Sequence, residues 1–194
     1  MAVEKGAAAL LCEHEVENVP EGVTVIVTEN NRIALAAVSA NLYGHPSREM
    51  HAIGVTGTNG KTSTTYLMKS ILDRVGGKVG IVGTIENRIG EKILKTERTT
   101  PESKELQALF RQMKEEDVTD VVMEVSSHSL DLHRVDGISF DVAIFTNLTQ
   151  DHLDYHITME NYKAAKGMLF ERAAKSVINM DDAAGAYMKE KSAG

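Results

Sequence analysis

Short apolar, β-branched segments alternate with helical segments along most of this sequence, and this alternation limits the fold more than any other feature. The predicted strands are GVTVIVTE (22–29), HAIGVTG (51–57), KVGIVGT (78–84), TDVVMEV (119–125), FDVAIFTN (140–147) and KSVINM (175–180). The predicted helices cover residues 31–44, 61–77, 101–117 and 158–173. Nearly continuous apolar strands separated by helices are typical of a parallel sheet with both faces covered. The sequence therefore predicts an α/β fold with a parallel sheet flanked by helices.

Composition limits the kinds of partner. The chain has 194 residues, of which 42% are hydrophobic and 25% charged, as in soluble globular proteins. Its net charge of −7 argues against nucleic acid, so binding of phosphate would need local donors and a metal ion. The single cysteine, Cys12, excludes an internal disulfide framework. No apolar run approaches the roughly 20 residues of a membrane helix. No signal peptide is visible, and we predict a cytoplasmic protein without a membrane span.

Both ends of the sequence read as interruptions of larger units. The first residues, AVEKGAAALLCEHEV, are predicted to form the end of a helix, a turn at Gly6 and a strand. The last residues, MKEKSAG, form a charged tail directly after a helical run. Between the ends, HPSREM (45–50) is the best candidate for a linker, because it combines a proline with mixed polarity. We expect the chain to be a piece of a longer protein.

The segment GVTGTNGKTST (54–64) joins a predicted strand to a predicted helix through a glycine-rich turn. Phosphate-binding loops require this context, although the first glycine is out of register with the common G-x-x-x-x-G-K-[ST] spacing. Gly57 and Gly60 can adopt backbone angles closed to other residues, and N–H groups at a helix start attract anions. Lys61 adds a mobile charge, and the Thr62 hydroxyl can hold Mg²⁺. The alternative is a tight turn that binds no ligand.

A metal ion at this loop needs further polar ligands, and candidates follow two neighbouring predicted strands. Glu124 lies near the end of TDVVMEV, and Asp151 and His152 follow FDVAIFTN. Because ligands gather at the carboxyl ends of strands in an open parallel sheet, these side chains should share one edge with the glycine loop. The alternatives are a solvated strand-end carboxylate for Glu124 and a structural role for His152.

Four blocks of sequence together resemble the Mur ligases, the ATP-dependent amino-acid ligases of peptidoglycan synthesis. The blocks are TGTNGKTSTTYLMKSIL, RTTPES, MEVSSHSLDLHRVDGISFDVAIFTNLTQDHLDYH and MENYKAAKGMLF. The glycine loop of this family is written GTNGKT, which accounts for its spacing here. The resemblance covers nearly the whole chain. Within the family it points to ligases that add the third residue, L-lysine or meso-diaminopimelate, to UDP-N-acetylmuramoyl-L-alanyl-D-glutamate through an acyl-phosphate intermediate.

The resemblance implies a domain arrangement. Family members have a first domain for the uridine nucleotide, a central ATP-binding domain and a third domain for the incoming amino acid. Residues 1–47 would be the remnant of a small α/β N-terminal domain that binds the UDP-muramoyl substrate. Residues 48–194 would be an incomplete central ATP-binding domain with a P-loop-type parallel sheet. The chain by itself would then have little or no ligase activity.

The resemblance also implies the site residues, position by position. The ATP phosphates would be bound by Gly57, Thr58, Asn59, Gly60, Lys61, Thr62 and Ser63, with Lys61 also catalytic. One Mg²⁺ would be held by Thr62 and Glu124, and a second by His152. The UDP-muramoyl-peptide would contact Thr99, Thr100, Ser126 and Arg134. Lys166 matches a catalytic lysine that family members carry as a carbamate; its alternative is an exposed helix lysine.

Two residues depart from the family pattern, and other functions stay open at this point. Arg98 stands where many relatives have asparagine, and Leu132 where some have a substrate-binding glutamine. A folylpolyglutamate synthetase-like ligase shares the glycine loop, although the RTTPES and HRVDG blocks argue against it. A non-catalytic nucleotide-binding module and a P-loop hydrolase are the alternatives from other classes. The sequence leaves lysine and diaminopimelate as alternative amino-acid substrates.

Overall fold

A seven-stranded, mainly parallel sheet forms the centre of the protein, in a computed structural model that describes residues 2–192. Its spatial order is β6 (Lys92–Leu94), β5 (Asn87–Ile89), β4 (Val79–Val82), β7 (Asp120–Glu124), β3 (His51–Thr56), β8 (Phe140–Phe145) and β9 (Ala173–Ile178). The strands from β4 to β9 in this order are parallel, whereas β5 and β6 are antiparallel to their neighbours. A separate parallel pair contains β1 (Ala9–Cys12) and β2 (Thr24–Val27).

The helices connect these strands, and local sequence explains where several of them begin and end. They are α1 (Asn31–Tyr43), α2 (Lys61–Arg74), α3 (Ser103–Glu115), α4 (Ser127–Asp131), α5 (Leu153–His156), α6 (Met159–Gly167) and α7 (Gly185–Lys191). The Asn30 side chain caps α1, and Gly44 ends that helix in the left-handed conformation. The Thr158 hydroxyl caps α6. Among residues 2–192, no helix has both the length and the apolar character needed to cross a bilayer.

Side chains of the central strands alternate between two faces, and helices cover each face. Val121 and Met123 of β7 belong to the larger core cluster, to which α3 contributes the fully buried Phe110. Val122 of the same strand belongs to a smaller cluster, against which Met68 of α2 packs. This alternation follows from the two-residue period of a strand. The prediction of a parallel sheet covered on both faces is thus confirmed for the five strands from β4 to β9.

One edge of the sheet and the length of one helix differ from the predictions. The antiparallel hairpin of β5 and β6 turns at Gly90, which has φ +56°, and was not predicted because its strands are three residues long and rich in charge. The helix predicted over 158–173 ends at Gly167 and is followed by a separate 3₁₀ turn, Phe170–Arg172. The short helices α4, α5 and α7 were also missed.

Residues 45–50, predicted as a linker, form a packed turn. Pro46 and Ser47 are buried, and the Ser47 hydroxyl accepts the N–H of Ser139 at 3.2 Å. Helix α1 packs against α3, and a Cβ added to Gly137 would lie 3.0 Å from the Cβ of Ala40. Helix α1 and residues 45–50 therefore lie tightly against α3 and the elements of the central sheet.

The burial of Phe110 predicts a large effect of its removal. The substitution Phe110→Ala should lower the free energy of unfolding by about 3–5 kcal/mol, because it leaves a cavity under α3. The matched control is Leu67→Ala on α2, where the leucine is 65% exposed and the change should stay within about 0.5 kcal/mol. Urea unfolding of the purified protein followed by circular dichroism measures both values. Similar losses for the two variants would contradict the assigned core.

Candidate active site

The carboxyl ends of three parallel strands meet at one edge of the sheet. In β3, Val55 is paired with Glu124 of β7, and Thr56 is paired with Phe145 of β8. The segments that follow these strands therefore begin side by side. In a parallel sheet this edge is where ligands bind. The expectation that the glycine loop, Glu124 and His152 share one edge is confirmed.

The glycine loop after β3 is a short turn that depends on two positive backbone angles. Val55 is fully buried within β3, so the loop begins later than the common spacing requires. Gly57 has φ +147°, and a Cβ there would lie 1.9 Å from the Thr146 hydroxyl oxygen. Gly60 has φ +84° and directly precedes α2. Both glycines are therefore required by geometry, as predicted.

Protein groups hold one half of the loop, and the other half is left open. The N–H of Thr58 donates to the Asn147 carbonyl at 2.9 Å, and the N–H of Asn59 donates to Asn147 Oδ1 at 3.0 Å. The Thr146 hydroxyl donates to the Asn59 carbonyl at 2.7 Å. Within residues 2–192, the backbone N–H groups of Gly60–Ser63 have no protein acceptor. Unpartnered N–H groups at a helix start attract anions, phosphate above all.

A cavity of about 300 Å³ is lined by the first residues of this helix start, Gly60, Lys61 and Thr62. It brings together most of the predicted site residues. Those lining it are Thr58, Asn59, Gly60, Lys61, Thr62, Thr99, Glu124, Ser126, His152 and Lys166. The predicted residues outside its lining are Gly57, Ser63, Thr100 and Arg134. The lining residues among them come from five separate segments of the chain, which the fold brings to one cavity.

Glu124 presents a buried carboxylate to the start of α2. Glu124 is 1% exposed, and its Oε2 accepts a hydrogen bond from the Thr62 hydroxyl at 2.9 Å. Thr84 also binds this carboxylate, through its N–H at 2.9 Å and its hydroxyl at 3.1 Å. These oxygen atoms are hard ligands of the kind Mg²⁺ prefers. No group of three or more His, Cys, Asp or Glu side chains in residues 2–192 could hold a metal ion. The donor set therefore fits an ion that takes its remaining ligands from water and phosphate.

His152 lies in the same cavity but is held differently from Glu124. It has φ +52° and precedes the short helix α5. Its Nε2 lies 3.4 Å from Asp151 Oδ2, and both side chains are about half exposed. The His152 ring therefore lines the cavity from the segment that follows β8, and about half of the side chain is open to solvent.

Two lysines converge on the glycine loop. Lys61 Nζ donates to the carbonyl groups of Gly57 and Thr58, both at 2.9 Å, and burial lowers its pKa while Glu124 raises it. Lys166 Nζ donates to the same Gly57 carbonyl at 2.8 Å and belongs to a residue that is 1% exposed. Burial, followed by the charge of Lys61, lowers the pKa of Lys166 to about 7. Lys166 is therefore a buried lysine that lines the cavity, and the alternative of an exposed helix lysine is wrong.

The predicted substrate residues form a connected wall beside the cavity. The Thr100 hydroxyl donates to the Glu124 carbonyl at 2.9 Å and accepts the N–H of Ser126 at 3.2 Å. Arg134 Nη1 approaches the Thr100 carbonyl at 3.4 Å. The Thr99 hydroxyl faces the cavity. Thr100 and Arg134 therefore stand behind the residues that line the cavity, and they fix the shape of its wall.

Thr84 is a site residue that the sequence reading missed. It lines the cavity, binds Glu124 and shares a hydrogen bond with the Thr99 hydroxyl at 3.0 Å. It is the last residue of the predicted strand 78–84 and lies at the same edge of the sheet, so the rule that selected Glu124 would have selected it too. A Cβ on the preceding Gly83 would lie 2.5 Å from Glu124 Oε1, so this position must stay small.

Comparison with known proteins identifies the relatives of this site. Residues 55–194 match the family model described as the Mur ligase middle domain. The UDP-N-acetylmuramoyl-L-alanyl-D-glutamate–2,6-diaminopimelate ligase of Caldanaerobacter subterraneus is 52% identical over the whole chain, which spans 40% of that relative. The ligase of the same name from Clostridium botulinum is also 52% identical, and the chain again spans 40% of its length.

Solved structures give the same result for the fold. A structure of a UDP-N-acetylmuramoyl-L-alanyl-D-glutamate–2,6-diaminopimelate ligase aligns with 98% of this chain and 38% of its own, with a TM-score of 0.84 and 29% identity. Escherichia coli FolC in complex with DHPP and ADP aligns with 84% of this chain and 45% of its own, at a TM-score of 0.61 and 22% identity, and so shares the fold. The match of the family model over most of the sequence shows that this chain belongs to the Mur ligase family.

Proposed function

We propose that the protein containing this chain is an ATP-dependent amide-bond ligase of peptidoglycan precursor synthesis. It adds meso-diaminopimelate to UDP-N-acetylmuramoyl-L-alanyl-D-glutamate, the reaction in the names of relatives that are about half identical to it. L-Lysine is the alternative amino acid. The chain spans about 40% of the length of these relatives. The substrates and activity of the whole protein are therefore proposed, together with a cytoplasmic location.

One observation carries this proposal. The N–H groups of Gly60–Ser63 have no protein acceptor in the described residues, and Gly60, Lys61 and Thr62 line the cavity, while Thr58 and Asn59 are held in place by Asn147. The first N–H groups of any α-helix lack intrahelical acceptors, and at the start of α2 no side chain caps them either. The open amides, with Lys61 beside them, suit the phosphates of ATP. Gly57 contributes by its tight backbone and its carbonyl, which orients the two lysines.

The proposed metal sites follow from the oxygen donors of Thr62 and Glu124 and from the ring nitrogen of His152. Thr62 and Glu124 would hold one Mg²⁺, and His152 would contact a second. Bound Mg²⁺ supplies positive charge that offsets the charge of the phosphate groups and of the approaching carboxylate. Thr84 contributes by keeping both oxygens of Glu124 in place.

The residues of the chain bring two anions together. The substrate carboxylate forms a bond to the γ-phosphorus of ATP, the bond from that phosphorus to ADP breaks, and an acyl phosphate results. The amine of the incoming amino acid then bonds to the acyl carbon, phosphate leaves, and the amine loses a proton. Lys61 and the loop amides stabilise the charge on the transferred group. Thr99 and Ser126, supported by Thr100 and Arg134, would hold the UDP-muramoyl-peptide beside it.

Lys166 is proposed to act as a carbamate. A lysine reacts with CO₂ through its neutral amine, forming an N–C bond and releasing a proton. With a pKa of about 7, a large fraction of the Lys166 amine is neutral at physiological pH, whereas an ordinary lysine is almost fully protonated there. The carbamate would replace a buried cation beside Lys61 with an anion.

We further propose that residues 1–47 belong to the domain that binds the UDP-muramoyl substrate and residues 48–194 to the central ATP-binding domain.

The folylpolyglutamate synthetase-like alternative shares the fold with FolC. Substrate assays of the full-length protein separate the candidates. Phosphate release should require ATP, UDP-N-acetylmuramoyl-L-alanyl-D-glutamate and diaminopimelate together. Turnover with a folate and glutamate would contradict the proposal, and calorimetric binding of ATP alone would favour a nucleotide-binding module.

The substitution Lys61→Ala should reduce kcat at least about 100-fold in the full-length enzyme, because it removes positive charge where the phosphoryl group is transferred. Lys114→Ala is the control, since Lys114 pairs with Glu49 at the far end of α3 and is 40% exposed. Phosphate-release kinetics measure both variants. Near-normal turnover in Lys61→Ala would refute its assigned role.

Carbamylation of Lys166 should depend on pH in a defined direction. The neutral fraction of the Lys166 amine increases as the pH rises through about 7. The carbamate should therefore be abundant at pH 8 and scarce at pH 6. Nuclear magnetic resonance of the protein in ¹³C-bicarbonate should show a carbamate signal that is lost in Lys166→Arg. The signal should persist in Lys163→Arg, a change on the same helix. A signal absent from the unsubstituted protein at pH 8 would contradict the prediction.

A further inference from the structure

A buried serine and a buried histidine join two cavities of the protein. Ser127 is 1% exposed and lines the cavity beside the glycine loop, which we call the first cavity. His156 is 5% exposed and lines a second cavity of about 590 Å³, which shares no lining residue with the first. The Ser127 hydroxyl and His156 Nε2 lie 2.9 Å apart and form a hydrogen bond. The pair is therefore a direct polar connection between the two cavities.

The fold fixes the position of both partners. Ser127 is the first residue of α4, which begins shortly after β7, and His156 is the last residue of α5. The ring of His156 packs against the ring of Tyr162, a residue that is 1% exposed, with 5.2 Å between the ring centroids. The carbonyl of His156 accepts a hydrogen bond from Asn161 Nδ2 at 2.9 Å. Ring and backbone of the histidine are thus both anchored on α6, so the contact with Ser127 is a fixed feature of the structure.

The surroundings of His156 favour its neutral form. Burial lowers the pKa of this histidine, and the charge of His128 lowers it further. The carboxylate of Asp131 acts in the opposite direction, whereas His152 and Lys166 act in the same direction as burial. The imidazole of His156 is therefore neutral at physiological pH, which is the state that can take up a proton.

Amide formation in the proposed reaction releases a proton inside the first cavity. An aliphatic amine is mostly protonated at neutral pH, and its nitrogen must lose a proton before it can attack. The Glu124 carboxylate already accepts hydrogen bonds from Thr62 and Thr84. Among the hydroxyl groups that line this cavity in residues 2–192, that of Ser127 is bound to an imidazole. When the neutral ring carries its hydrogen on Nδ1, this hydroxyl donates to Nε2.

We propose that Ser127 and His156 form a proton relay that carries a proton of the incoming amine from the first cavity to the second. This inference rests on the proposed function. As the N–H bond of the amine breaks, its proton moves to Ser127 Oγ, and the hydroxyl proton of Ser127 moves to His156 Nε2. The electron pair of that bond stays on the amine nitrogen and forms the bond to the acyl carbon. The imidazolium of His156 then releases a proton to solvent water through the second cavity.

The test compares two nucleophiles in the full-length protein with His156→Gln and, separately, Ser127→Ala. Each variant should lower kcat with diaminopimelate by at least about 100-fold, the contribution typical of a group that transfers a proton. Hydroxylamine is neutral at neutral pH and attacks an acyl phosphate without first losing a proton, so hydroxamate formation should stay close to that of the unsubstituted protein. The double variant should be no slower than either single one, because the two residues act in series. The matched control is His51→Gln, an exposed histidine at the start of β3, which should change neither rate.

Imidazole added to the solution provides a second measurement. In His156→Ala it should enter through the second cavity and restore amide formation, whereas Ser127→Ala should show no such rescue. Loss of both amide and hydroxamate formation in His156→Gln and Ser127→Ala would give the pair a structural role and overturn the relay. Unchanged amide formation in either variant would overturn it as well. Absence of both products from the unsubstituted full-length protein would instead overturn the proposed function.

Discussion

The whole site depends on how the turn after β3 is fixed. Asn147, which follows the neighbouring strand β8, accepts the N–H groups of Thr58 and Asn59 through its backbone and its side chain. This support comes from one side, so the amides from Gly60 to Ser63 stay open on the other. If the strands ended at different heights, no single residue could reach both amides. The register of β3 and β8 is thus the constraint from which the open helix start follows.

A buried carboxylate, Glu124, and a buried lysine, Lys166, lie on either side of this turn. Glu124 and Lys166 are each 1% exposed, and an isolated charge in such a position is strongly unfavourable. Hydroxyl and amide donors from Thr62 and Thr84 stabilise the carboxylate. Lys166 has a carbonyl acceptor and the ring of Tyr162 at 4.5 Å, but Lys61 is near, so its pKa falls. The site therefore stabilises the Glu124 carboxylate and leaves the Lys166 ammonium poorly stabilised. A bound phosphate would offset the charge of this ammonium, and a carbamate would replace it with an anion.

The shared fold and the specific site carry different information. FolC has the same central architecture at 22% identity, and a shared fold does not by itself identify a substrate. Thr99 and Ser126 line the cavity beside the glycine loop, and Thr100 and Arg134 lie behind them. Under the proposed function, these side chains are where a choice between substrates can arise.

The sequence by itself determined the strand and helix order of the central sheet, the glycine turn before α2 and the grouping of Glu124, His152 and Lys61 at one edge. These features follow from local patterns: apolar runs, glycine spacing and the rule that parallel strands end at one edge. These local patterns could not predict the hairpin of β5 and β6, because strands of three residues are too short to show a periodic pattern. Tertiary structure alone decided that Asn147 caps the loop, that Thr84 holds Glu124, and that Ser127 meets His156. Those contacts join residues far apart in the chain, and their distances are set by strand register and helix packing, which no local pattern encodes.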